Sequence, residues 1–322
     1  MFKILHSADW HINLHKKKIP IEWQENRFKL MFEKLHELEK SCDIHIIAGD
    51  VFDRKPEPDE ICLFLSYINC VSIPTFIIPG NHEATKKGKT FLEHFNEDAV
   101  ITNSNVRLFT ENKRVQEPDW PFAIQFWPYG EMQLEKLPEY VSGDVLVAHI
   151  RGEVPPHITA EYDFEKLRKW HMILLGDIHF NHRYQDYGAY YSGSPINTHF
   201  DRDESKKYGV NILNCIDDKN YSVEFIDLAL PKLLRKTIKT NEEMVPDKYH
   251  HAVYEVMGSI DELSKIKNSE LLDKKVSYEP SEESKLDLKD LTLHEELKLY
   301  LEYLKVADVE GTLKEFNDLK VV

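Results

Sequence analysis

The stretch IHIIAGDVFD, residues 44–53, decides the fold. A short β-rich run, Ile44-His45-Ile46-Ile47-Ala48, ends in Gly49-Asp50, and Asp53 follows shortly after. The same arrangement recurs on both sides of it. Ile4-Leu5-His6-Ser7 leads to Asp9-Trp10-His11, and Thr75-Phe76-Ile77-Ile78 leads to Gly80-Asn81-His82-Glu83. Later, a run at 145–148 ends in His149, and one at 173–175 ends in Gly176-Asp177-Ile178-His179. Helical spacing lies between the runs, at 24–40 through Phe28, Met31, Phe32, Leu35 and Leu38, and near 59–70 through Ile61, Phe64, Leu65 and Ile68. Further strands are expected at 123–127, 189–192 and 210–213. Strands alternating with helices predict an α/β fold.

Five strands therefore end in residue types that ligate metals. In open α/β sheets the crevice lies beyond the carboxyl ends of the strands, so side chains remote in sequence converge there. Glycines at 49, 80 and 176 let the chain turn sharply as it leaves each strand. The set mixes Asp, His and Asn without Cys, which suits Mn, Mg, Fe or Zn. Each piece alone is weak, since Gly-Asp is a common turn and a single His after a strand is usually structural. The ordered series is the signal.

Bulk properties bound the reading. The chain has 322 residues, enough for one large domain and a smaller one, and 42% of them are apolar. No run of 18 apolar residues predicts a membrane helix, and the start MFKILH reads as a strand rather than a signal peptide, so a cytoplasmic protein is expected. Cys42, Cys62, Cys70 and Cys215 form no CxxC pair, which argues against a cysteine zinc site. The net charge of -15 counts against a free-standing DNA binder, so any nucleic-acid role must rest on local basic clusters, bound metal or a partner.

The series D-x-H, G-D, G-N-H, H, G-x-x-H resembles the five phosphoesterase motifs of the calcineurin-like superfamily. HSADWH at 6–11, GDVFD at 49–53 and PGNHE at 79–83 are most similar to the SbcD-type nuclease subunit, and YSGSP at 191–195 fits it too. The length and short tail resemble the compact versions carried by tailed bacteriophages. The likeness covers roughly residues 1–225; beyond that it rests on domain order. It implies a four-layer α/β/β/α sandwich over 1–225, a small α+β capping and DNA-recognition domain over 226–285, and a helical segment over 286–322 that binds an SMC-like ABC ATPase. It also implies two divalent ions, Mn2+ first and Mg2+ second. One would be held by Asp9, His11, Asp50 and His179, the other by Asp50, Asn81, His149 and Asp177, with Asp50 bridging. His82 would contact the scissile phosphate and assist the leaving oxygen. The family dimerises through nuclease-domain helices, for which 24–40 and 59–70 are the candidates.

The last motif departs from the family's G-H-x-H, because Asp177 stands where a histidine is expected. A ligating carboxylate would soften the second site and tune it towards Mn or Mg, with activity at more alkaline pH. Alternatively Asp177 is only a turn residue. Lys16, Lys17 and Lys18 follow the first motif, Lys86 and Lys87 follow the third, and Arg151 and Arg183 lie near the last two. These are the candidate DNA contacts, with solvated loops as the competing account.

Residues 258–290 are charge-rich and read as loose or helical. The apolar stripe Leu293, Leu297, Tyr300, Leu301 and Leu304 marks an amphipathic helix that either packs on its own chain or docks on the ATPase partner, and a short helix should cover 311–319. Three functions compete: a DNA exonuclease/endonuclease subunit, a phosphoesterase for small or protein substrates, and a catalytically weak scaffold that binds DNA ends.

Overall fold

The computed structural model describes residues 1–97, 100–154, 158–277, 292–306 and 308–319. Its first half runs β1 (Phe2–Ser7), α1 (Ile21–Glu39), β2 (Ile44–Ala48), α2 (Pro58–Ile68), β3 (Thr75–Ile78), β4 (Ala84–Lys86), β5 (Lys89–Thr90), α3 (Glu93–Glu97), β6 (Val106–Leu108), β7 (Lys113–Val115), β8 (Ile124–Trp127), α4 (Tyr129–Gln133) and β9 (Val145–His149). The second half runs β10 (Ile173–Gly176), β11 (His182–Tyr184), β12 (Ala189–Tyr191), β13 (Gly209–Cys215), β14 (Tyr221–Asp227), β15 (Leu233–Lys239), β16 (His251–Gly258), α5 (Ile260–Ser264), β17 (Leu272–Ser277), α6 (Leu293–Tyr303) and α7 (Val309–Leu319).

Two six-stranded sheets carry the fold, in the orders β14-β13-β1-β2-β3-β6 and β11-β12-β10-β9-β8-β7. In the first, β1, β2, β3 and β6 are parallel. In the second, β12, β10, β9 and β8 are parallel. Covered on both faces, β2 and β9 are buried at every position, which is why they read as unbroken apolar runs. Ile4, Ile46 and Phe76 of one sheet and Phe126, Val147 and Leu174 of the other belong to one core cluster. A second cluster joins the first sheet to α1 and α2 through Phe28, Met31, Leu35, Phe64 and Tyr67.

The expected fourth layer is thin. The outer face of the second sheet is covered by Phe164 and Leu167 of a single 3-10 turn, by Met132 of α4, and by Trp170. Trp127 and Tyr191 help fill the same cluster, so long helices are not needed there.

The chain divides into two compact units, Met1–Lys236 with Met244–Tyr254, and Thr237–Glu243 with Glu255–Val322. The expected break at 225 is therefore misplaced. It falls inside β14, which pairs with β13 from Gly209↔Asp227 to Cys215↔Tyr221. The expected boundary at 285/286 lies outside the described residues. In the second unit α5 starts on a Ser259–Glu262 capping box, as the charge-rich reading allowed, but Leu272–Ser277 is a strand at the edge of the β15-β16-β17 sheet. Helices α6 and α7 touch each other, with Leu301 and Leu313 buried. Among the described residues, no helix is long and apolar enough to cross a membrane.

Candidate metal centre

The strand ends meet because neighbouring parallel strands end level. Ser7 pairs with Ile47, Ala48 with Ile78, and Gly176 with His149. Just past these positions the backbone turns left-handed at Asp9 (φ 56), His11 (φ 48), Asp50 (φ 53) and Asp177 (φ 103), a region that side chains rarely adopt. Such strain persists only where the surroundings over-determine it, and it clusters at functional sites. Here the loops tie one another down. Asp9 N–H donates to Gly49 O and His11 N–H to Asp50 O, both at 3.0 Å. Ser194 Oγ donates to Asp9 O at 2.6 Å. At Gly80 a Cβ would run into the Asp50 carboxylate, so only glycine fits.

Two groups of donors share one residue. His11 Nε2 lies 3.6 Å and His149 Nε2 3.4 Å from the same oxygen, Asp50 Oδ2. On the first side, His179 Nε2 is 2.9 Å from His11 Nε2, and Asp9 is grouped with both rings. On the second side, Asn81 Oδ1 is 2.9 Å and Asp177 Oδ1 3.8 Å from His149 Nε2. The Asp177 N–H also donates to Asp9 Oδ1 at 3.0 Å.

The contacts of the ring nitrogens show what this arrangement accommodates. His149 Nδ1 donates to the Ala48 carbonyl at 2.8 Å and Nε2 faces the Asn81 oxygen at 2.9 Å. Burial opposes a charge on the His149 ring, but Asp50 and then Asp9 and Asp177 raise its pKa well above the ordinary value, carboxylates that a cation placed there would also satisfy. His179 Nδ1 meets Thr198 Oγ1 at 3.2 Å and His11 Nδ1 lies 3.3 Å from Asp53 Oδ1, which turns the two Nε2 atoms towards each other. Lone pairs that converge in this way beside Asp9, Asp50 and Asp177 fit divalent cations. The electrostatics agree. Burial and then neighbouring carboxylates push Asp9 well above the usual range, and burial also raises Asp177. Burial opposes the Asp50 charge too, but His149 and His11 hold it below its ordinary value. Burial and the adjacent His11 lower His179 to about 3, so it is a neutral donor.

A cleft of about 370 Å³ opens over these residues, lined by Asp50, Asn81, His82, Arg151, Asp177 and His179 among others. His82 Nδ1 donates to the Asp53 carbonyl at 2.6 Å, and its backbone N–H donates to Asp50 Oδ1 at 2.9 Å.

Residues 2–213 match the calcineurin-like phosphoesterase family. The chain belongs to that family. It is 37% identical over 322 residues to the "Probable exonuclease subunit 1" of Escherichia phage T5, covering 97% of this chain and 96% of that protein. Among solved structures, it is similar to the purple acid phosphatase PPD1 of yellow lupin seeds (TM-score 0.44, 16% identity, 71% of this chain and 52% of that one). The TT1561 protein of Thermus thermophilus is similar too (TM-score 0.42, 10% identity, 70% of this chain and 99% of that one). Calcineurin-like phosphoesterases use divalent metals, and the donor set described above fits them.

Two residues of this phosphoesterase site were not singled out as site members from the sequence. Asp53 forms a third donor group with His11 and His82, and accepts from Asn13 Nδ2 at 2.7 Å. Its place in GDVFD was the available signal. Fully buried Glu83 accepts from the N–H groups of Gly80 (2.7 Å), Phe52 (2.8 Å) and Asp50 (3.1 Å), clamping two motif loops together. Burial and then Asp50 push its carboxyl up to about 7.

The expected DNA contacts divide. Arg151 lines the cleft, with Glu161 at 3.6 Å. The Lys16 ammonium donates to the Thr198 carbonyl beside the His179 ring, while Lys17 and Lys18 are exposed. Lys86 and Lys87 are exposed on the hairpin β4-β5, directly after the third motif. Arg183 lies elsewhere. It sits on edge strand β11 with its guanidinium 4.9 Å from the Tyr190 ring centroid, lining a separate cavity with Arg168 and Tyr221. Along α6, Leu293, Tyr300 and Leu304 are exposed and Leu297 is half-buried, but Leu301 is turned inward and is not available for docking.

Proposed function

We propose that this chain is the nuclease subunit of a DNA-end-processing complex, an exonuclease/endonuclease that hydrolyses phosphodiester bonds with a pair of divalent ions. The observation that carries the reading is Asp50 Oδ2 standing within reach of both His11 Nε2 and His149 Nε2, at 3.6 and 3.4 Å, as a shared ligand must. Asp9, His11, Asp50 and His179 would hold one ion; Asp50, Asn81, His149 and Asp177 would hold the other. Bound there, Mn2+ or Mg2+ supplies Lewis acidity to the phosphate and acidity to the attacking water.

The chain's own groups do the rest. With Nδ1–H given to Asp53 O, His82 presents Nε2 to a substrate and, as imidazolium, donates a proton or hydrogen bond to the leaving oxygen. Arg151 and Lys16, with Lys17, Lys18, Lys86 and Lys87 further out, offer cations to phosphates along the strand. Glu83 and the His149–Ala48 bond hold the ligands in place, so little reorganisation is needed at reaction. The T5 relative is named a subunit, which supports a partner; an SMC-like ABC ATPase docked on Leu293, Tyr300 and Leu304 of α6 is the partner that fits. The residues following β14 would serve DNA recognition, and two copies would pair through α1 and α2, in the cytoplasm.

The test is to incubate the purified chain and Mn2+ with linear double-stranded DNA and, separately, with bis-p-nitrophenyl phosphate. The expected result is nucleotide release from DNA together with hydrolysis of the small diester. Hydrolysis of the small diester alone would assign the chain to small substrates, and hydrolysis of neither would leave a DNA-binding scaffold.

A further inference from the structure

Beside the metal cleft lies a second cavity of about 390 Å³, and the two share His179 and Phe180. They differ in charge. The metal cleft is lined by Asp50 and Asp177. The second cavity, among the described residues, has no carboxylate in its lining and carries His199, Lys206 and Lys207. Lys206 is paired with Asp201 at 2.7 Å, and Lys207 is exposed. Burial lowers His199 below its ordinary value, so the charge of the hollow rests on Lys207 and the outer side of Lys206. In a chain of net charge -15, lysines over a lining without carboxylates, against the metal centre, are a departure that an anion would explain.

The second feature is aromatic. Phe180 is 44% exposed at the junction of the two cavities, and Tyr208 and Phe225 line the farther one. The Phe180 ring does not hang from a free loop. Asn181 Nδ2 donates to Tyr191 O at 3.0 Å and to Asn211 Oδ1 at 2.8 Å. Gly193, at φ 76, lies so close beneath that a Cβ there would stand 2.8 Å from both Phe180 C and Asn181 N. A ring presented on a braced backbone loses little entropy when a flat partner stacks on it.

We infer that this cavity is a nucleotide subsite: it takes the unpaired nucleotide next to the scissile phosphate, with Phe180 stacking on the base and Lys206 and Lys207 meeting the adjoining phosphate. The inference rests on the nuclease reading above and adds a preference for a single-stranded end. The cavity has the size of a site for one small ligand, and a base stacked on Phe180 has left its duplex partner. Thr198 connects the subsite to the metal side, because its Oγ1 contacts both His179 Nδ1 (3.2 Å) and His199 Nδ1 (3.1 Å).

The experiment measures kcat/KM of the full chain with Mn2+ on a short single-stranded oligothymidylate and on bis-p-nitrophenyl phosphate, and takes the ratio. Phe180→Ala should lower that ratio about ten-fold, through KM for the oligonucleotide, and Phe180→Tyr should restore it. Lys207→Ala should flatten the salt dependence of oligonucleotide KM. A purely structural role for Phe180 would depress both substrates together and leave the ratio standing, which overturns the subsite. If the unaltered chain degrades linear duplex DNA but leaves the oligonucleotide whole, the subsite falls and the nuclease reading stands; if it hydrolyses the diester and neither DNA, both fall.

Discussion

The bodies of the central strands and their carboxyl ends follow opposite rules within a few residues. Ile46, Phe76, Val147 and Leu174 are fully or almost fully buried, pack between the two sheets, and sit in regular parallel ladders. A few residues further on, Asp9, Asp50 and Asp177 bring like charges together out of water, on left-handed backbone. The bodies make the fold stable, and that stability holds the ends in a conformation they would not choose alone. Separate substitutions should therefore separate the two. The largest effect is expected from Asp50→Asn, which removes the carboxylate oxygen proposed to be shared by the two ions. Hydrolysis of bis-p-nitrophenyl phosphate should fall about a thousand-fold, the several kcal/mol that metal assistance supplies. Its unfolding midpoint should move less than that of a core variant. Ile46→Ala is that variant, and urea unfolding should show a loss of about 3 kcal/mol. Its activity per folded molecule should stay near the original. Should Ile46→Ala depress turnover as deeply as Asp50→Asn, the division between bodies and ends is wrong.

The same contrast explains what could be read from sequence. Buried parallel strands such as Ile44–Ala48 and Thr75–Ile78 announce themselves, because both faces are apolar and a glycine or proline follows. The ligand candidates were legible as the first polar residues after those runs. Edge strands were not. Tyr221–Asp227 and Leu233–Lys239 expose alternate or polar positions and acquire strand character only from their neighbours, so one is cut by the expected domain boundary and the other is not among the expected strands. Leu272–Ser277 was hidden in the same way by its lysines and aspartate. Glu83 was quoted within PGNHE without a role, since its three N–H donors come from residues 50, 52 and 80 and exist only once the loops meet. Arg183 shows the converse. It is near the last motif in sequence, yet β11 carries it to the sheet edge and over Tyr190.

Asp177 gives the finest test of the comparison, because it belongs to the ends by position but departs from the motif by type. Its carboxylate is 3.8 Å from His149 Nε2, and its N–H donates to Asp9, so it is built into the cluster rather than pointing away as a simple turn residue would. A carboxylate there makes the donor set one charge more negative than an imidazole would. A more negative set withdraws less electron density from the attacking water, whose deprotonation then needs a higher pH. Asp177→His should accordingly shift the rising limb of the pH–rate profile towards acid by about one unit, worth about 1.4 kcal/mol. It should also weaken Mn2+ binding, which metal titration by calorimetry reads independently of turnover. An identical profile and identical metal affinity would mean that Asp177 touches no ion. The second donor group would then consist of Asp50, Asn81 and His149, with Asp9 alongside as the fourth donor.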